Sequence, residues 1–294
     1  MEFVVTKAPW LVLATVMEKM SRKVFGARPN TPLIPVDEGR VWVCTGTAPV
    51  GCTCNMTIVR VAKGVVLFSP VPAEPATVAA VTGLLGPKES IRAVVVTSTF
   101  HDSYASQWMD LFPDAFLLAP EAGIPKLSDH LQIDDATTHV LPTLGIDVLV
   151  SVPQLVVNSC EEVYALPMSS GGVGLLLGAD LVNHMGAQDA WLADLSGFEG
   201  LGRARLFSVI GIVDHQEWEG ILVDVLSEAD NVDAVLFGHG PPLVGEGCVD
   251  LVLSAVTSPT GQIRAMRPST LLVHFFQFMF LLCALYWALS TFVW

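Results

Sequence analysis

The last 24 residues of the chain, 271–294, contain no Asp, Glu, Lys or Arg. A helix of that length reaches about 36 Å at 1.5 Å per residue, enough to cross a hydrocarbon core of about 30 Å. A helix apolar on every face belongs in lipid or in an unusually large core. The segment therefore reads as a transmembrane helix. Arg264 and Arg267 precede it, Pro268 separates them from it, and Tyr286, Trp287 and Trp294 place interfacial rings towards its far end. With the sequence ending at Trp294, the expectation is a tail-anchored protein whose globular part lies on the cytoplasmic or matrix-like side, where the two arginines stand. His274 and Gln277 share one helix face near the entrance. They serve there either as hydrogen-bonding contacts to a partner membrane helix or as polar groups among the lipid headgroups.

Composition then bears on the rest of the chain. It is 52% hydrophobic and only 15% charged, with a mean hydropathy of +0.55, whereas an ordinary soluble domain is about one quarter charged. Fifteen Lys and Arg stand against 29 Asp and Glu, a net charge of −14. Because the tail carries no charge, all of that acidity belongs to the part outside the bilayer. It argues against a phosphate-tracking surface and hence against nucleic acid as a partner. The apolar content excludes disorder.

Residues 1–30 differ from the remainder, carrying Lys7, Lys19, Arg22, Lys23 and Arg28 against Glu2 and Glu18. Trp10, Leu13, Met17, Met20 and Val24 recur there at helical spacing, with the basic residues off that stripe. A basic amphipathic start reads either as an organelle-targeting or membrane-surface segment or as an ordinary first helix packed on the domain. The six cysteines, Cys44, Cys52, Cys54, Cys160, Cys248 and Cys283, form neither a disulfide framework nor a zinc frame and read as small hydrophobes. Asn55-Met56-Thr57 matches a glycosylation sequon but lies inside a strand-like run.

Between about 39 and 254 the pattern is β-rich first, then mixed. Strands are predicted over 41–44, 56–61, 65–68, 93–97, 115–119, 147–152, 162–167, 174–177 and 234–237. Helices are predicted over 75–85, 104–111, 191–209 and 216–228. The domain plan is a basic N-terminal segment (1–38), a domain (39–254), a linker (255–270) and the transmembrane helix (271–294).

Four pieces in order, NMTIVRVAKGVVLFSPV, VVVTSTFHDSYASQW, LLLGADLV and VLFGHGPPL, resemble the successive landmarks of the metallo-β-lactamase-like superfamily. The likeness is greatest to a branch carrying an F-H-H…W form of the second landmark. The resemblance implies an αββα sandwich with a one- or two-metal hydrolytic site at the sheet edge, built from H-x-H-x-D-H, a later His, a bridging Asp and a final His. Imidazoles and carboxylates in such a set hold Zn or Fe and leave one position for a water whose pKa the metal lowers.

Aligned on Thr97 and Asp102, this chain has Ser98, Phe100, Asp102 and Ser103 where the resemblance implies His, His, Asp and His. The third landmark falls near Pro167-Met168-Ser169-Ser170, without a histidine. Asp180 stands where the bridging carboxylate belongs and His239 where the last histidine belongs. His101, one residue out of register, could join Asp102, Asp180 and His239 around one metal. Without a metal, His101 and Asp102 cap the helix that follows, Asp180 caps a turn, and His239 sits in a tight turn between glycines. The remaining histidines stand singly. The Ser-Ser-Gly-Gly-Val-Gly run 169–174 lacks the Lys-Ser/Thr of a phosphate loop, and no G-x-S-x-G elbow is present.

The function expected is that of a catalytically degenerate metallo-β-lactamase-like protein with no catalytic residue or cofactor. It acts as an accessory subunit among other membrane-protein subunits, in the mitochondrial inner membrane. The alternative is a membrane-tethered hydrolase with a single Zn or Fe at His101, Asp102, Asp180 and His239.

Overall fold

Successive side chains on a strand point to opposite faces, and that alternation sets the layering of this domain. The computed structural model describes residues 29–47, 53–98, 101–154, 159–178, 182–185, 200–202 and 215–257. In chain order the elements are β1 (Ile34–Asp37), β2 (Val41–Thr47), β3 (Thr53–Val61), β4 (Gly64–Phe68), α1 (Pro75–Thr82), β5 (Ser90–Val95), α2 (Ala105–Leu111) and β6 (Phe116–Ala119). They continue as α3 (Ile124–Leu127), β7 (Asp135–Ala136), α4 (Thr137–Val140), β8 (Asp147–Gln154), β9 (Ser159–Pro167), β10 (Val173–Leu177), β11 (Asn183–Met185) and β12 (Gly200–Gly202). The last four are α5 (His215–Glu228), β13 (Val232–Leu236), β14 (Leu243–Val244) and α6 (Cys248–Thr257).

Strands β1 to β7 form one sheet in sequence order, and a second runs β14-β13-β10-β9-β8. On β4, Val65 and Leu67 face one way, onto Trp108 of α2, Val81 of α1 and Leu127 of α3. Val66 and Phe68 face the other way, onto Tyr164, Leu166, Leu176 and Leu236 of the second sheet. The second sheet repeats the rule: Leu175, Leu177 and Val235 face outward onto Leu222 and Leu226 of α5 and Val252 and Val256 of α6. Strands β4 and β10, at the centres of the two sheets, are buried on both faces, which is why they read as nearly continuous apolar runs. The result is helix, sheet, sheet, helix, the αββα order that the resemblance implies.

Pairing directions decide where the edges lie. Strands β4, β5, β6 and β7 are parallel, and β3 runs against them. In the second sheet β10 and β13 are parallel, with β9 antiparallel to β10 and β8 antiparallel to β9. The carboxyl ends of β5, β8, β10 and β13 therefore gather at one edge of the sandwich, beside the amino end of β3. The turn between β9 and β10 lies at the opposite edge.

Two sequence-based expectations are corrected. Residues 200–202 were expected inside a helix over 191–209, yet Gly200–Gly202 is a strand paired with Asn183–Met185. Gly197, Gly200 and Gly202 make that stretch a poor helix. Pro167-Met168-Ser169-Ser170, expected at the site as the third landmark, belongs to the far β9–β10 turn. There Ser169 donates to Asp37 through its backbone N–H at 2.5 Å and through its hydroxyl, and Ser170 donates its hydroxyl to Asp233. Residues 155–158, between β8 and β9 in the sequence, are Leu-Val-Val-Asn, again without histidine, and lie outside the described residues.

Cys44, Cys54 and Cys248 are buried, in keeping with their reading as small hydrophobes. Burial pushes the Cys44 thiol up to about 11, far from a reactive thiolate. Among the described residues no helix is long and apolar enough to cross a membrane. The apolar segment 271–294, with His274 and Gln277, and the basic start 1–28 lie outside them.

Fully buried Glu162 of β9 ties the second sheet to the chain beyond β7. It accepts hydrogen bonds from Thr137 Oγ1 at 2.5 Å and Ser151 Oγ at 2.9 Å. Burial pushes its carboxyl above the ordinary range, while bonds from Thr137, Ser151 and Tyr164 act the other way. A raised value in the folded state means that the native form holds the proton longer than the unfolded chain. This contribution is complete at low pH and is lost as pH rises through the raised value, by up to about 1.4 kcal/mol per pH unit. Glu162→Gln is expected to be more stable than the parent in urea unfolding at pH 8, with the advantage shrinking towards pH 4. A variant less stable than the parent across that range would show that the ionised carboxylate holds the fold.

Candidate functional site

At the end of β13 the chain turns through Phe237-Gly238-His239-Gly240. Gly240 has a φ of +85°, and a Cβ there would stand 1.5 Å from the His184 carbonyl oxygen. Only glycine permits this approach. His184 in turn donates its N–H to the His239 carbonyl at 3.0 Å and its Nδ1–H to the Pro241 carbonyl at 2.9 Å.

The first sheet reaches this turn through Asn55. It is 3% exposed, and its backbone N–H and both ends of its side-chain amide are used. Its backbone N–H donates to the Gly238 carbonyl at 2.8 Å. Its Nδ2 donates to the Phe237 carbonyl at 3.0 Å and the Gly240 carbonyl at 2.5 Å, and its Oδ1 accepts from Thr45 Oγ1 at 2.8 Å. An amide so enclosed cannot be a glycosylation acceptor.

His239, 4% exposed, donates its Nδ1–H to the Thr53 carbonyl. With the proton held at Nδ1, the neutral ring carries its lone pair at Nε2, the tautomer suited to a ligand or a proton acceptor. The His101 ring lies edge-on to it, with centroids 5.1 Å apart. Just past the carboxyl ends of β4 and β5, buried Ser69 and Thr97 share a hydroxyl hydrogen bond of 2.5 Å. Ser69 lies in the left-handed region at φ 49°. Non-glycine residues pay for that conformation and tend to hold it at functional edges.

Asp102 departs from the capping role read for it. Its carboxylate does not cap α2, which begins after Tyr104 with no side-chain cap. It instead meets His130 Nε2 at 2.6 Å. Lys126 stands nearby: partial burial lowers its ammonium below the ordinary range, while the charge of Asp102 acts the other way. This carboxylate is thus engaged by the loop after α3. His130, read as a single surface or core residue, is its partner, and nothing in the sequence signals a pairing across 28 positions. His139 likewise pairs with Asp135, at 2.8 Å.

The structure therefore brings His101 to His239 and turns Asp102 to His130, while Asp180 and Phe100 lie outside the described residues. Among the described residues no three of His, Cys, Asp and Glu stand together as a metal-holding group. A hydrolytic Zn or Fe needs about three protein ligands. Ser98, Thr97 and Ser69 supply neutral hydroxyls at this edge, a weak donor set for such an ion. The described residues do not fit the metal that the resemblance implies.

Solved structures share this architecture. The metallo-β-lactamase DIM-1, in crystals exposed to ceftazidime, superposes with a TM-score of 0.56 at 15% identity, covering 80% of this chain and 99% of that one. The fold is that of a metallo-β-lactamase. TMB-1 matches at 0.55 and 16% identity over 78% of this chain and 98% of that one. The mono-zinc form of FIM-1 from Pseudomonas aeruginosa matches at 0.53 and 15%, over 78% and 96%. No protein-family model and no curated protein matches the sequence. At these identities the likeness is one of fold.

Asn55 gives the test of this edge. Asn55→Ala strands the buried Phe237 and Gly240 carbonyls and the Thr45 hydroxyl, each costing about 1–3 kcal/mol when unsatisfied. The expected loss in urea unfolding is about 3 kcal/mol, against about 1 kcal/mol or less for Thr45→Val. An Asn55→Ala variant within about 0.5 kcal/mol of the parent would contradict the account.

Proposed function

We propose that this chain is a non-catalytic protein of metallo-β-lactamase fold, held to a membrane by residues 271–294. It serves as an accessory subunit of a larger membrane complex in the mitochondrial inner membrane, with no cofactor and no nucleic-acid partner. The observation that carries the reading is chemical. The strand ends where the resemblance places histidines present Ser98, Phe100 and Ser103, and the chain entering β9 has none. A fold kept while its ligands are replaced by hydroxyls and an apolar ring is kept for its surface. The charge-free segment 271–294 supports the anchoring, and the basic amphipathic start supports an organelle address.

One observation favours the second reading, a tethered one-metal hydrolase: His101 lies against His239, whose tautomer presents Nε2. It needs Asp180 to join them.

Extraction of native membranes separates the elements of the proposal. The full chain is expected to stay with the membrane in alkaline carbonate, and deletion of 271–294 to release it. In mild detergent it is expected to migrate with other polypeptides, in a particle far larger than its own 31.5 kDa. Recovery as a lone monomer would overturn the subunit reading, and release of the intact chain by carbonate would overturn the anchoring.

A further inference from the structure

Residues 215–257, which supply α5, β13, β14 and α6, contain eight acidic residues and no Lys or Arg. Among the described residues no Lys or Arg pairs with the exposed carboxylates of Glu228, Asp230, Glu246 and Asp250. Between the end of α5 and the first turn of α6 opens a cleft of about 430 Å³ whose walls include Leu226, Ala229, Val232, Val249 and Leu253, with Asp250 beside them.

We propose that this cleft receives the chain's own next segment, residues 258–270, with Ile263 and Met266 in the cleft and Arg264 and Arg267 against the carboxylates. Three observations on the chain select this occupant. Arg264 and Arg267 are the only Lys or Arg after α5 in the sequence. Ile263 and Met266 are three apart in the sequence, as are the two arginines, the spacing that sets an apolar pair beside a basic pair. The reach is sufficient: Asp250 lies about 10 Å back along α6 from Thr257, and the seven residues to Arg264 extend up to about 23 Å. Covalent attachment also gives the segment an effective concentration in the millimolar range.

The consequence rests on the anchoring proposed above. Free, the 13 residues 258–270 let the domain range up to about 45 Å from the membrane. Docked, they hold α5 and α6 beside it, with Arg264 and Arg267 offsetting two of the carboxylates. The segment then acts as a strap that orients the domain.

Trypsin reads the strap directly, because it cuts after Arg264, whereas Arg267 precedes Pro268 and resists it. In phosphatidylcholine vesicles at low salt, cleavage of the full chain after Arg264 is expected to be slow. At 0.5 M salt, where the screening length falls to a few ångströms, it is expected to quicken at least tenfold. Glu246→Gln/Asp250→Asn, which adds no trypsin site, is expected to do the same at low salt, and the salt arm decides the matter if that variant misfolds. Fast cleavage at low salt, or slow cleavage indifferent to salt, overturns the strap. Protection lost on dilution also overturns it, by showing a second copy in the cleft. Vesicle flotation of the same samples before trypsin is added reads the anchoring separately: flotation intact followed by fast cleavage defeats the strap alone, and flotation absent before cleavage defeats the anchoring alone.

Discussion

The two sheets meet through an apolar layer that has no direction of its own, so something polar must fix how their edges line up. Asn55 does this. Its amide is shared between the carbonyls of Phe237 and Gly240 on the second sheet and the hydroxyl of Thr45 on the first. In an environment without water each of these bonds is expensive to leave unmade. The amino end of β3 and the turn after β13 are thereby locked as one unit, and His239 is oriented by its bond to the Thr53 carbonyl within that unit. At the other side of the interface Glu162 joins β8 and β9 to Thr137.

The polar atoms that converge on the edge are satisfied largely by the protein: Asn55 by backbone carbonyls, Ser69 by Thr97, Asp102 by His130. Where a metal site would leave lone pairs pointing into a common space, most of these groups point at one another. The apolar cores on both sides of each sheet, from Trp108 to Leu236 to Val252, are complete in themselves.

Much of this was legible in the sequence because it depends on local alternation. The runs around Val65–Phe68, Val94 and Leu175–Leu177 announce strands buried on both faces, and their order with the helices announces the sandwich. What was not legible depends on pairing at a distance. The β9–β10 hairpin carries Pro167-Met168-Ser169-Ser170 away from the site, and only the register of Val173 with Pro167 shows it. Asp102 looks like a helix cap or a ligand until His130, 28 residues on, is seen to hold it. Gly200–Gly202 becomes a strand because Asn183–Met185 offers it a partner. The proximity of His101 to His239 was legible only through the family resemblance, since 138 residues separate them.

The central claim is that this edge is held by protein rather than by a metal, and thermal unfolding with and without metal tests it most directly. A ligand that binds the native state raises stability by an amount set by its concentration over its Kd, about 2.7 kcal/mol at a hundredfold excess. The account predicts that Tm of the full chain in detergent is unchanged within error by micromolar Zn²⁺ or Fe²⁺ and by a chelator, and that His239→Ala lowers it equally in all of these conditions. A rise of several degrees with one of the metals, reversed by the chelator and absent in His239→Ala, would contradict it.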